Sequence, residues 1–312
     1  MEYLVLALAI LAFLAQSVVV VLLIFRNKQM KNRKMAEEAY EFDFSDTSYD
    51  LSAEEKELAK NILKGIENSE FKMYLQFVVD NKTKRIVSAE TLSRWDNPEE
   101  GVLTPARYIG NMEMAGLISR HDFYMFERAC SQLEKWSNTE YKNISISCNF
   151  TRITLSEEDF VERLRSISER YSFDKTKLAI EITEDAIEKD RAAAQKNVML
   201  CKELGFKVYL DDLGSGYTSL SNLCDYPIDI VKIDRDILLK ADTKRGKDLF
   251  SGIIALAHSL NMSVICEGVE TTEQNTLVSQ TGCDYIQGWY YSKAIPVEES
   301  ESFIEKHVLQ YA

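Results

Sequence analysis

The sequence predicts an α/β fold, a (β/α)8 barrel, preceded by one N-terminal transmembrane helix. Three observations carry that reading. Beyond about residue 144, short apolar strands alternate with helical stretches, the pattern of βα units wrapped around a parallel sheet. Side chains able to do chemistry (Glu90, Asn149, Glu181, Asp211, Asp212, Lys232, Glu267 and Gln287) fall at or near the C-terminal ends of the predicted strands, which a barrel gathers on one face. And no charged residue interrupts Tyr3 to Phe25, a length that spans a bilayer as a helix.

The elements follow in order. Residues 1–25 read as an anchor rather than a cleaved signal peptide, because no Lys or Arg precedes the apolar run and the run is long for a signal. Arg26, Lys28, Lys31, Arg33 and Lys34 come after it, so the positive-inside bias places everything downstream in the cytoplasm. Residues 26–54 are a basic, then acidic, linker or loosely packed lead-in helix, and 55–312 form the folded domain. Phe71 to Phe77, a turn at Asp80 to Thr83 and Arg85 to Glu90 make a hairpin. Thr104-Pro105 starts a helix with Thr as cap, and another helix fits His121 to Trp136.

Strands are then expected at Ile144 to Asn149, Leu178 to Glu184, Val208 to Asp212, Ile228 to Asp234, Met262 to Glu267 and Asp284 to Gly288. The helices between them include Arg191 to Leu204, closed by Gly205, and one starting at a Thr271/Gln274 capping box and closed by Gly282. A last helix covers Val297 to Val308.

Composition narrows the function. The 312 residues carry a formal net charge of −13, which argues against binding a nucleic-acid polymer. Six scattered cysteines without a CxxC pair read as reduced thiols, mostly buried. Three histidines give no zinc spacing and no serine-histidine pair, and His121-Asp122 is a lone pair on a helix. What remains is oxygen chemistry. Glu90, Asn149, Glu181, Asp211, Asp212 and Glu267 suit hard cations such as Mg²⁺ or Mn²⁺. The set has room for two ions sharing Asp211, and two metals about 3.5–4 Å apart serve phosphodiester cleavage. Lys232 is placed to orient a water or neutralise phosphate, or else to form a salt bridge holding the rim; Arg94 is placed for a bidentate phosphate contact, or else for a surface ion pair. Side chains alternate along a strand, so adjacent Asp211 and Asp212 can point together only if the strand ends there.

These residues sit in seven ordered segments: Glu90-Thr91-Leu92, the strand ending in Asn149, Glu181-Ile182-Thr183-Glu184, Asp211-Asp212-Leu213-Gly214-Ser215-Gly216-Tyr217, Lys232-Ile233-Asp234, Glu267-Gly268-Val269-Glu270 and Gln287-Gly288. Together they make residues 55–312 resemble the EAL family of cyclic di-GMP phosphodiesterases. The resemblance implies a modified (β/α)8 barrel, two Mg²⁺ or Mn²⁺ ions, a homodimer, and hydrolysis of cyclic di-GMP to linear pGpG at a bacterial inner membrane. It implies Glu90, Asn149, Glu181 and Asp211 as ligands of one metal, with Asp211, Asp212 and Glu267 serving the second metal and the water, Glu267 as either base or ligand. Lys232 is similar to the water-orienting lysine of the family; Gln76, Arg94 and Gln287 look like substrate contacts, while Glu184 and Glu270 look like loop supports. No cyclase segment of the GGDEF type is visible.

The departures are Thr91 for alanine, Phe77 where the family has proline at a guanine-side edge, Leu213 and Ser215 in the Asp-Asp loop, and Cys266 and Trp289 near the rim. Leu213 in place of phenylalanine is expected to loosen that loop and slow turnover. The alternative is a weak or inactive domain acting as a cyclic di-GMP receptor that signals to a partner. All acids, amides and the lysine are present, which favours catalysis.

Overall fold

A computed structural model describes residues 52–184, 186, 191–214 and 222–311. The expected anchor and most of the linker lie outside the described residues, as does Ser215. Among the described residues, no helix is long and apolar enough to cross a membrane.

Ten strands form one sheet: β1 Phe71–Asp80, β2 Ile86–Asn97, β3 Gly101–Leu103, β4 Ser145–Asn149, β5 Leu178–Thr183, β6 Lys207–Leu213, β7 Ile230–Ile233, β8 Ser263–Cys266, β9 Tyr285–Gln287 and β10 Ile295–Pro296. β2 and β4 to β9 pair in parallel succession, and β1 closes the barrel between β2 and β9. β1 runs antiparallel to both neighbours: the pairing with β2 is the expected hairpin, and the pairing with β9 is new. The cause is local. Asp80 Oδ1 accepts from the backbone N–H of Lys82 and Thr83, a turn that reverses the chain at once, whereas a parallel partner needs a crossover of a dozen or more residues.

The barrel interior follows from the two-residue period of a strand. Val78, Ala179, Tyr209, Ile230 and Ile265 meet as a buried plug. Two positions from each, on the same side of its strand, stand Gln76, Glu181, Asp211, Lys232 and Glu267. An apolar layer therefore floors a polar one. The larger core lies between the barrel and its helices, of which Ile118–Trp136 and Lys244–Ser259 are the longest among the described residues.

Before β1, helix Ala53–Glu67 starts at a Ser52/Glu55 capping box and buries Ala59, Ile62, Leu63 and Gly65. From Ala59 onward it packs with Phe71, Trp95 and Tyr108 in a second, smaller cluster, whereas residues 53–57 stay largely exposed. The Thr271/Gln274 capping box forms as expected, and Gly205 and Gly282 follow their helices at φ 91 and 78°. Thr104 makes no capping bond: Pro105–Arg107 is one 3-10 turn, and the helix proper begins at Ile109.

Candidate functional site

Lys232 defines the site. Its side chain is 1% exposed and its Nζ meets Glu181 Oε1 at 2.5 Å, Glu267 Oε1 at 2.7 Å, Glu90 Oε2 at 3.1 Å and Asp211 Oδ1 at 3.2 Å. It stands at the centre of the acids rather than holding their rim. Burial alone would discharge the ammonium, but Glu181, Glu267, Glu90 and Asp211 outweigh that and hold it more firmly protonated than an ordinary lysine.

The neighbouring amides bind the acids together. Asn149 Nδ2 donates to Glu90 Oε1 at 2.8 Å, and Gln287 Nε2 donates to Glu90 Oε2 at 2.7 Å. Gln287 is 3% exposed, and its amide N–H positions Glu90.

Asp211 and Asp212 come together by a route the alternation argument did not foresee. β6 continues to Leu213, and between the pairs Leu210↔Val231 and Leu213↔Ile233 the two aspartates oppose the single residue Lys232. This is a β-bulge, and Asp212 takes the left-handed conformation at φ 58° to make it. One carboxylate oxygen each from Asp211, Asp212 and Glu267 thereby lie within 4.8 Å of one another.

Five carboxylates surround one ammonium, leaving four formal negative charges when all are ionised. The strain appears in their protonation. Burial, then Glu90, pushes Glu181 well above the usual carboxylate range; burial raises Glu267 to about 8; and burial with the adjacent Asp211 charge raises Asp212 to about 6. Glu181 Oε2 is buried without a hydrogen-bond partner among the described residues. Hard oxygen donors, surplus negative charge and an unsatisfied buried carboxylate oxygen fit divalent cations of the Mg²⁺ or Mn²⁺ type.

Two clefts border these residues, the larger at Asn149 and the smaller at Glu90 and Glu267. One of about 480 Å³ is lined by Thr91, His121, Asp122, Asn149, Arg152 and Thr183. The other, about 270 Å³, is lined by Gln76, Glu90, Glu267, Glu270, Gln287 and Trp289, among others. Gln76 Nε2 donates to Ser292 O at 3.1 Å. Glu270 accepts from Arg235 Nη2 at 2.9 Å, tying the loop after β8 to the helix after β7. Glu184 is buried just beyond β5. Arg94 lines neither cleft: its Nη1 donates to Ser93 O at 2.7 Å and its guanidinium lies 5.5 Å from the Tyr74 ring centroid.

The departures find places too. Thr91 Oγ1 donates to Ser147 O at 3.0 Å, so the extra hydroxyl is satisfied between β2 and β4. Phe77 does not shape a cleft edge; it is fully buried and stacks on Phe303 of the C-terminal helix at 5.2 Å. Leu213 is 5% exposed within the main core.

The pair set aside in the sequence proves structural at close quarters. Asp122 Oδ2 accepts from Thr151 N at 3.0 Å, Thr151 Oγ1 at 2.9 Å and Thr154 Oγ1 at 2.7 Å, and His121 Nε2 lies 2.8 Å from Ser93 Oγ. Together they brace the segment just after Asn149. A buried acid on the apolar face of helix Ile118–Trp136 was the available signal.

The class defined by this geometry is a barrel with an acid cluster and one buried lysine at the C-terminal mouth. The family model "EAL domain" matches residues 59–294, and the chain belongs to that family. It is 32% identical over 240 residues to the signaling protein YkoW of Bacillus subtilis, covering 77% of this chain and 30% of the relative. It is 28% identical over 252 residues to the cyclic di-GMP phosphodiesterase RocR of Pseudomonas aeruginosa, covering 80% of this chain and 62% of the relative. The PaMucR phosphodiesterase, solved as a c-di-GMP complex, superposes with a TM-score of 0.74 at 26% identity, covering 78% of this chain and 99% of that one. The chain thus spans less than two thirds of the curated relatives it matches here.

Proposed function

We propose that this chain is a metal-dependent phosphodiesterase that hydrolyses cyclic di-GMP to linear pGpG. The observation that carries the reading is the buried Lys232 among Glu90, Glu181, Asp211 and Glu267, within a family whose relatives are named for this reaction. Two clefts, one lined by Asn149 and the other by Glu90 and Glu267, suit an elongated ligand with two bases and a phosphodiester between them.

In this reading Glu90, Asn149, Glu181 and Asp211 would hold one Mg²⁺ or Mn²⁺, and Asp211, Asp212 and Glu267 the second. When bound, such a pair supplies an activated nucleophile and a counter-charge for the leaving oxygen. The chain supplies the rest. Lys232 orients the attacking water from beneath, since its position is fixed by four carboxylates. Asp212 and Glu267 are the carboxylates nearest the second ion's place, and Glu267 would act there as base or as ligand. Water adds to phosphorus, one P–O3′ bond breaks, and that oxygen leaves with a proton. Gln76 contacts the substrate from the smaller cleft and Gln287 acts through Glu90, while Arg94, outside both clefts, would reach a phosphate only by leaving Ser93 O; Glu184 and Glu270 steady loops.

The location is part of the proposal: the apolar run from Tyr3 to Phe25 and the basic flank behind it support a single-pass anchor in a bacterial inner membrane, with the domain on the cytoplasmic side as a homodimer. The test follows pGpG formation by the full chain with Mn²⁺, with chelator, and as Glu90→Ala. Product that disappears in both controls is expected. Folded protein that binds cyclic di-GMP without forming product would establish a receptor instead.

A further inference from the structure

A large apolar side chain left in water is informative when it stands beside a polar cleft. Trp289 is 61% exposed, whereas Trp95 and Trp136 are 2% and 0% exposed. It lines the smaller cleft with Glu90 and Glu267. The backbone on either side of it is pinned. A β-carbon on Gly288 would come within 2.1 Å of Val269 O, and Tyr290 N donates to that same oxygen at 2.9 Å. Lys293 Nζ lies 5.3 Å from the indole centroid, and Arg235 lines the same cleft, so cations accompany the ring on an otherwise acidic rim. The other large exposed apolar side chains among the described residues (Val102, Ile153, Met199, Leu239, Leu249 and Val308) do not line that cleft. The indole is therefore not the centre of an apolar patch of the kind that docks a protein.

A pinned, exposed aromatic plane with cations beside it suits a flat base joined to a phosphate. The geometry points to Trp289 as the stacking platform for one guanine of the dinucleotide, a residue that holds substrate and transition state alike. This rests on the phosphodiesterase reading. Stacking accepts any base, so the platform contributes affinity and orientation while hydrogen bonds elsewhere must read the guanine.

The test compares the full chain with its Trp289→Ala and Trp289→Tyr variants, measuring kcat and KM for cyclic di-GMP with Mn²⁺. Acrylamide quenching of tryptophan emission supplies a second readout, because the other two indoles are buried. Trp289→Ala should raise KM about tenfold, the low end of base–aromatic stacking, with kcat nearly unchanged and Trp289→Tyr recovering most of the loss. Cyclic di-GMP should shield the wild-type indole from acrylamide. An unchanged KM in an alanine variant of an active wild type, a loss confined to kcat, or an indole left unshielded would overturn the platform alone. A wild type that neither binds nor cleaves the dinucleotide would overturn the phosphodiesterase reading with it.

Discussion

Lys232 sits in a balance that either partner can upset. Its ammonium is 1% exposed, so removing it leaves buried carboxylates facing one another, and breaking such a pairing costs about 3–5 kcal/mol. Lys232→Met is therefore expected to lose turnover and, in chelator, to unfold at lower denaturant than wild type; added Mn²⁺ should return much of that stability by restoring positive charge. Equal midpoints for the two proteins in chelator would mean that the lysine is not paired as described.

The acids make a related prediction in pH. Asp212 and Glu267 titrate at about 6 and about 8 in the folded, metal-free protein, above their ordinary values. A raised folded pKa binds protons preferentially to the native state, so its stabilisation is full below the unfolded value and is lost as pH rises through the folded one. Metal-free protein should thus lose stability between about pH 4 and pH 8, and saturating Mn²⁺ should flatten that slope in denaturant melts across the range. A slope of the opposite sign would contradict the burial described for these groups.

Elements decide what the residues can do, and β6 is the clearest instance. The adjacent aspartates converge because a bulge places both opposite Lys232, and Asp212 occupies the left-handed region that a branched side chain resists. Asp212→Val should be less stable than Asp212→Asn by about 1–2 kcal/mol, measured by chemical denaturation, although both remove the same carboxylate. Equal stabilities would mean that the backbone there relaxes.

The presence of two acids at the end of an apolar strand was legible from sequence; the bulge was not, because strand alternation says nothing about an inserted residue. For the same reason the placement of most site residues could be read from strand ends, yet the depth of Lys232 and Gln287 could not. Both sit at or next to the end of a short strand and face inward, and only the closed barrel makes inward mean buried. Phe77 went astray differently. Its neighbour Gln76 faces the cleft, and the two-residue period sends Phe77 to the helices.

At the scale of the whole molecule, the reading of the cysteines has a simple consequence. All six are free, five of them buried, and burial raises those thiols out of reach of the thiolate form. Native protein treated with iodoacetamide should take up one label, at Cys224, and take up six after unfolding. Labelling of Cys148 or Cys266 before unfolding would show that the barrel opens. The barrel class itself was legible because alternating strands and helices leave few other architectures. The antiparallel β1 was half legible: the hairpin could be seen, while its pairing with β9 depends on residues more than 200 positions away.

That distant pairing also sets an order of events during synthesis. β1 leaves the ribosome roughly 200 residues before β9 and β10 and must wait for them, so the cylinder stays open until both have been made. Glu90 waits as well, since Gln287, its amide donor, lies 197 residues downstream. A nascent chain stalled before residue 285 would hold most of the acids without the geometry that arrays them. Competence to bind metal should therefore arrive abruptly, once residues 285–296 have been translated.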